Sequence, residues 1–240
     1  MNINDKKANE TTPLLSSKTV LYNPQLGKTY PSEHATPFQN IFFSWLTPLL
    51  ELGNLRPLES NDLYLLDPEN RADQVYNDFL FYWEKECQKY KKNRKYNPSI
   101  VLCLIKAYGL PFLHAGLLKL IHDSLIFVAP MVIQGVIGYL NTPNANKKLG
   151  MYYTLAIFFS GIIQSFCLRQ YFFYCFLTGM RLRSASVTVI YQKSLRLSTA
   201  ARQRSSAGEI TNLMSVDAQH LQDLTPYLHA IWFAVYQIIM

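Results

Sequence analysis

Charge is scarce in this sequence: only 16% of its 240 residues are Asp, Glu, Lys or Arg, against about 25% in an average soluble domain. Paired cysteines are missing as well. Cys87, Cys103, Cys167 and Cys175 form no CxxC pair and have no metal-ligand spacing, which excludes a disulfide framework or a zinc module; in apolar surroundings such thiols serve as small fillers. A phosphate-binding loop is also lacking. Gly27-Lys28-Thr29 has Tyr22 where the loop needs its first glycine, and it lies in a polar stretch with no preceding strand, so we reject it. Roughly the first 36 residues contain no apolar central region, so no secretory signal is expected and the N-terminus should stay in the cytosol unless the first membrane helix carries it across.

What the chain does have is long apolar runs with basic residues at their ends. The formal net charge is +7, but the basic residues flank apolar segments instead of forming one stripe. That pattern speaks for membrane topology and against nucleic acid. Residues 1–36 read as a polar cytosolic tail with little to bury. Pro37 to Leu50 is too short to span and mixes Trp45 and several Phe with polar residues, which suits a helix lying in the headgroup plane; a core helix of a soluble domain is the alternative. We assign residues 37–55 to this interfacial element and residues 56–97 to a cytosolic linker. Within the linker, Asp67-Pro68-Glu69 reads as a helix start, and Val75, Phe79, Trp83 and Cys87 recur at helical spacing toward Tyr90, giving an amphipathic helix.

Residues 98–240 read as part of an all-α polytopic membrane domain. The first apolar run, about 99–140, would extend roughly 60 Å at about 1.5 Å per residue. That is twice the roughly 30 Å of bilayer hydrocarbon, so the helix either projects beyond the membrane or breaks near Pro111 or Pro130. A second run covers about 150–180, and a third begins at 226 and reaches Met240 before it is long enough to cross. Between them, Arg181, Arg183, Lys193, Arg196, Arg202 and Arg204 follow one another with no acid among them. Basic residues crowd before the first span and after the second, so the positive-inside rule places both regions in the cytosol, despite Lys147 and Lys148 at the outer turn. Residues 181–223 are then a cytosolic loop. It holds a capping box at Ser206-Ala207-Gly208-Glu209 and a second helix start at Ser215-Val216-Asp217.

Several ordered blocks resemble the C subfamily of ABC transporters, the multidrug-resistance-associated proteins. They are Ser44-Trp45-Leu46-Thr47-Pro48-Leu49, Arg56 to Leu63, Asp67-Pro68-Glu69, Leu118-Lys119-Leu120-Ile121-His122-Asp123, Gly179 through Leu195, and Gly208 through Gln219. The resemblance runs from about Pro37 to Met240. It implies a type IV exporter fold whose helices extend into the cytosol, and a parent that hydrolyses ATP to move organic anions, conjugates or xenobiotics. ATP and Mg²⁺ would belong to nucleotide-binding domains absent from this chain, which carries no cofactor, no metal site and no catalytic residue of its own. Its partners would be the lipid bilayer, those domains, the remaining membrane helices and the anionic substrate. A channel-type or channel-regulating relative, or a truncated product without function, stands as the alternative.

Lys119, His122 and Asp123 fall at i, i+3 and i+4 and so share one helix face. Ionisable groups at membrane depth usually face a bundle interior or a water-filled path; an internal ion pair needed only for packing is the other reading. In the resembling transporters the matching Lys and His contact the anionic part of the substrate, with Asp123 orienting Lys119. The same resemblance implies that Leu168, Phe172, Tyr227 and Trp232 line the cavity, ordinary packing being the alternative. It also implies that Ser215, Val216, Asp217, Ala218, Gln219, His220 and Leu221 form a coupling helix that docks on a nucleotide-binding domain. His220 departs from the family's Arg, which puts a charge role there in doubt. Arg169, a second variation, would add positive charge to the cavity or snorkel to an interface.

Glu10-Thr11-Thr12-Pro13-Leu14-Leu15 fits the acidic dileucine pattern, in which an adaptor pocket takes the leucine pair and a basic patch takes the acid, although so short a pattern also arises by chance. A polar cytosolic tail leaves such a peptide free to extend into a groove. The expected location is therefore a multi-pass protein of the plasma membrane or, through this motif, of endolysosomal or vacuolar membranes. Changing Leu14 and Leu15 together to Ala should move full-length protein from internal membranes to the cell surface on imaging. An unchanged distribution removes Glu10, Leu14 and Leu15 from the account.

Overall fold

The computed structural model describes residues 35–92, 97–142, 146–198 and 206–240. The dileucine pattern and Gly27-Lys28-Thr29 lie outside these residues. By its internal contacts the chain divides into two units, Met1–Leu66 and Asp67–Met240.

In the first unit, α1 (Pro37–Phe42) opens with a reciprocal cap: Thr36 Oγ1 accepts the Gln39 N–H at 3.3 Å, and Gln39 Oε1 accepts the Thr36 N–H at 2.8 Å. Phe43 then turns left-handed at φ 54°, so the expected single interfacial helix is broken there. A 3₁₀ turn (Ser44–Leu46) and α2 (Thr47–Leu55) follow, with Pro48 in the first turn of α2, where its missing N–H costs nothing. Tyr64 folds back, donating its hydroxyl to the Trp45 carbonyl at 2.8 Å, and its ring meets Trp45 edge-on. Arg56 pairs with Asp62 at 2.6 Å, and that hydrogen bond holds the Asp62 carboxyl below its ordinary pKa. No residue of α1 or α2 is buried, and Phe38 is 70% exposed. A soluble-core helix would hide such side chains, whereas one lying at a lipid surface presents them.

The second unit is a bundle organised on one very long helix. After a 3₁₀ turn (Pro68–Asn70) come α3 (Ala72–Lys92), α4 (Ile100–Ile126), α5 (Val128–Leu140) and α6 (Lys147–Leu195). Then α7 (Ala207–Asn212) passes through a single wide π turn (Leu213–Asp217) into α8 (Ala218–Ile239). The helix start expected at Asp67 is displaced. Asp67-Pro68-Glu69 forms the 3₁₀ turn, because Arg181 donates to Asn70 Oδ1 at 2.6 Å and reaches Glu69 at 3.3 Å, pinning the lead-in to α6. The amphipathic reading of α3 holds. Val75 and Phe79 are buried with Cys103, Tyr108 and Ala185, and Trp83 packs against that cluster. Buried Glu86 ties α3 to α4 by accepting from Lys106 at 2.7 Å and from its own neighbour Lys89 at 2.8 Å.

The over-long first run breaks at Phe127, between α4 and α5, while Pro111 stays inside α4. Pro130 explains the position, because it has no N–H to give the Ile126 carbonyl. The neighbouring Leu125 carbonyl, which receives the Phe127 N–H, also accepts from Gln164 of α6 at 2.7 Å. The helix that carries the second apolar run does not stop near residue 180. At 49 residues, α6 is roughly 73 Å long and carries the basic stretch 181–195 as helix, where a loop was expected. The described residues include two helical stretches long and apolar enough to cross a membrane, Ile100–Leu140 and Lys147–Leu195, and only 6% of the most apolar window of each is buried. Leu110 is 80% exposed. Faces this apolar and this open belong in lipid or against further helices.

The second helix start at Ser215 does not form. Ser215 Oγ bonds the Thr211 carbonyl at 2.7 Å, within a continuous helical course. The expected helix–turn–helix is instead one element entered through Ser206, whose Oγ caps the Glu209 N–H at 3.1 Å. It runs back along α6, and Gly179 sets the approach: a Cβ there would sit 2.8 Å from the Gln222 backbone oxygen. Because that obstacle is backbone, Gly179→Leu should force α6 and α8 apart. We expect a loss of about 1–3 kcal/mol, read as a lowered Tm of full-length protein in detergent; an unchanged Tm refutes the close packing.

Candidate functional site

Three helices converge where α4 carries its ionisable residues. Lys119 Nζ lies 2.5 Å and His122 Nδ1 2.7 Å from the same oxygen, Asp123 Oδ1. Asp123 is 0% exposed, against 19% for the Lys119 side chain and 13% for His122. The shared face expected from the spacing is therefore a real cluster, with Lys119 and His122 meeting at one oxygen of Asp123. Asp123 Oδ2 is buried and has no hydrogen-bond partner among the described residues. The carboxylate thus directs its charge to one side, where the lysine and histidine hold it. A carboxylate this deep is sustained only by such partners.

Aromatic rings from the other two helices close over the lysine. The Lys119 ammonium lies 5.4 Å from the Phe233 ring of α8 and 6.0 Å from the Tyr171 ring of α6, within the range where a cation is attracted to a ring face. Tyr171 is itself fixed, donating its hydroxyl to the Pro226 carbonyl at 2.5 Å. Beneath it, Ala115, Tyr171 and Cys175 form a small core against which Leu118, Leu168 and Tyr174 pack. On α8, Phe233 stacks on Trp232 at 3.7 Å, and Tyr236 shares a hydrogen bond of 2.7 Å with Ser124 of α4. The arrangement offers a partly accessible cation framed by aromatic faces, a setting that fits an anion with an apolar or aromatic body.

The residues proposed from the sequence fall unevenly around this centre. Lys119, His122 and Asp123 come together. Leu168 joins the packing under Tyr171, and Phe172 lies beside Tyr171 at 5.2 Å with 41% of its surface exposed. Trp232 belongs to the group through Phe233. Tyr227 is 69% exposed and makes no ring contact or hydrogen bond with the cluster. Arg169 lies on an exposed part of α6, and His220 is exposed near the start of α8. Ser215, Val216, Asp217, Gln219 and Leu221 lie along the helical course leading into the third span, and Ala218 is only 3% exposed. This is not a short helix laid across a tip. Sequence reasoning missed Tyr171, Phe233 and His229. Of these only His229 carried a readable signal, as the sole histidine within the apolar run from Tyr227 to Met240.

Residues 112–240 match the family described as the ABC transporter transmembrane region. ABC transporter C family member 8 of Dictyostelium discoideum is 38% identical over 85% of this chain and 12% of its own length. ATP-binding cassette sub-family C member 3 of Homo sapiens is 34% identical, over 96% of the chain and 16% of the relative. The metal resistance protein YCF1 of Saccharomyces cerevisiae is 33% identical, over 95% of the chain and 16% of the relative. The chain thus spans about one-eighth to one-sixth of the length of these relatives.

Proposed function

This chain belongs to the ABC transporter transmembrane family, and on that premise we propose that it contributes the entry helices of an ATP-driven exporter of organic anions or conjugates. One observation carries the reading: a lysine 19% exposed, held by a fully buried aspartate and bordered by Tyr171 and Phe233 from two other helices. A lysine needed only for packing would be expected to lie as deep as its partner. The exposed part of the ammonium is the part that receives the anion, while the rings receive the apolar body. Asp123 keeps the ammonium from swinging toward lipid between substrates. ATP hydrolysis on the nucleotide-binding domains of the whole transporter would drive the change of access.

Coupling to those domains is assigned to the far end of the α6–α8 hairpin. Ser206, Ala207, Gly208 and Glu209 are exposed where α7 begins, whereas Ala218 is packed inward. Crosslinks to a nucleotide-binding domain of the full transporter should therefore form from a cysteine at Gly208 and fail from one at Ala218. The opposite pattern would return the docking point to Ser215–Leu221.

For the anion site the test is Lys119→Met. A hydrogen bond to a charged group is worth about 1.5–3 kcal/mol, so affinity for an anionic conjugate should fall at least about tenfold while a neutral substrate is spared. His122 remains beside Asp123 Oδ1 to offset the buried charge, so folded yield should stay near normal. Equal loss of anionic and neutral transport, or collapse of the protein, would return the cluster to a packing role.

A further inference from the structure

We propose that His229, which has no part in the anion-binding cluster itself, is a positioning residue that sets the pose of the Trp232 indole at the substrate site. The substrate role of Trp232 rests on the function proposed above; the geometry that fixes its ring does not. His229 is 4% exposed, and both ring nitrogens are engaged. Its Nε2 lies 3.1 Å from the Phe112 carbonyl of α4, and the Trp232 indole N–H points to its Nδ1 at 3.1 Å. A carbonyl can only accept and an indole N–H can only donate. The imidazole is therefore neutral, with its proton on Nε2 and its lone pair on Nδ1. In this tautomer it bridges α4 to the indole; with both nitrogens protonated, the imidazole would face the indole N–H donor to donor.

The ring is held so that this bridge has one geometry. Phe112 stacks on it at 4.0 Å and 21°, and Tyr171 and Phe233 close in at 5.8 Å and 6.2 Å. On α4, Gly116 makes the space: a Cβ there would sit 2.7 Å from the imidazole Cε1. Trp232 is then clamped at two points, by its N–H on His229 and by its face on Phe233 at 3.7 Å. It nonetheless keeps 44% of its surface exposed. A half-open indole with a fixed edge is pre-organised to meet a flat apolar group, because it loses little rotamer freedom on contact. The sequence places the two residues at i and i+3 on one face of α8, and the glycine opposite completes the seat.

The two nitrogens can be separated by substitution. Asn can keep an acceptor near the Nδ1 position, whereas Gln places a donor near the Nε2 position and removes the acceptor facing Trp232. In full-length protein, the ultraviolet resonance Raman difference between the parent and Trp232→Phe isolates the indole N–H band of Trp232, which should shift to a weaker hydrogen bond in His229→Gln and stay in place in His229→Asn. In membrane vesicles, uptake of S-(2,4-dinitrophenyl)glutathione should show KM raised about fivefold in His229→Gln and in Trp232→Phe, as loss of one such hydrogen bond allows. Maximal rate should change little, and His229→Asn should resemble the parent. Adding His229→Gln to Trp232→Phe should raise KM no further, since the donor is already gone. A shifted indole band with unmoved KM overturns the proposal, as does an equal KM increase in the Asn and Gln variants or an additive double variant. The band is recorded without substrate, so failure of the anion-export reading would appear separately, as uptake indifferent to Lys119→Met.

Discussion

Hydrocarbon offers no hydrogen-bond partner, and most features of the Asp67–Met240 unit follow from meeting that constraint within a few helices. Pro130 leaves the Ile126 carbonyl without its helical donor, and Gln164 reaches across from α6 to the neighbouring Leu125 carbonyl. Pro226 sits inside α8, and its carbonyl receives the Tyr171 hydroxyl. Asp123 draws Lys119 and His122 to itself, and His229 satisfies both its nitrogens. Each of these polar contacts crosses between helices or lies at a crossing. The bundle is held in register by the polar groups it must satisfy as much as by its apolar packing.

The length of α6 organises the rest. Because it continues as helix through the basic stretch that follows its apolar part, it offers one rigid surface to α3, α4, α5 and α8. Arg181, which charge placement alone marks as a cytosolic flank, becomes the anchor of the turn before α3. Gly179, two residues earlier on the same helix, lets α8 approach so closely that its backbone oxygen would touch a Cβ. A movement at the α6–α8 tip would therefore travel along stiff helices to the level of Tyr171 and Phe233. That mechanical continuity is what a transporter needs if a domain at one end is to alter a cavity at the other.

The site combines one deep charge pair with a border of aromatic rings, and its two halves differ in kind. Lys119 and Asp123 supply charge whose burial is costly unless it is used or paired. Tyr171, Trp232 and Phe233 supply shape, fixed by hydrogen bonds at their rims. The fixed rings limit where an apolar body can lie, while the lysine's stem lets its ammonium adjust. Under the function proposed above, a site of this composition would discriminate mainly by the presence of an anion and a flat apolar group, and weakly among molecules that share both.

The sequence by itself determined the membrane class, the apolar runs, the crowding of basic residues at their ends, the amphipathic face of α3 and the common face of Lys119, His122 and Asp123. All of these are periodic or local, so they can be read from spacing. Family membership was legible for the same reason, in short blocks that keep their order. Only the tertiary structure decided that Asp67-Pro68-Glu69 is a turn, because Arg181, far along the chain, claims Asn70 and Glu69. It alone decided that Ser215 bonds back to Thr211 instead of starting a helix, since the same hydroxyl suits either role. It alone placed Tyr171, Phe233 and His229 at the site, because their partners lie on other helices and no spacing along one helix reports a neighbour across the bundle.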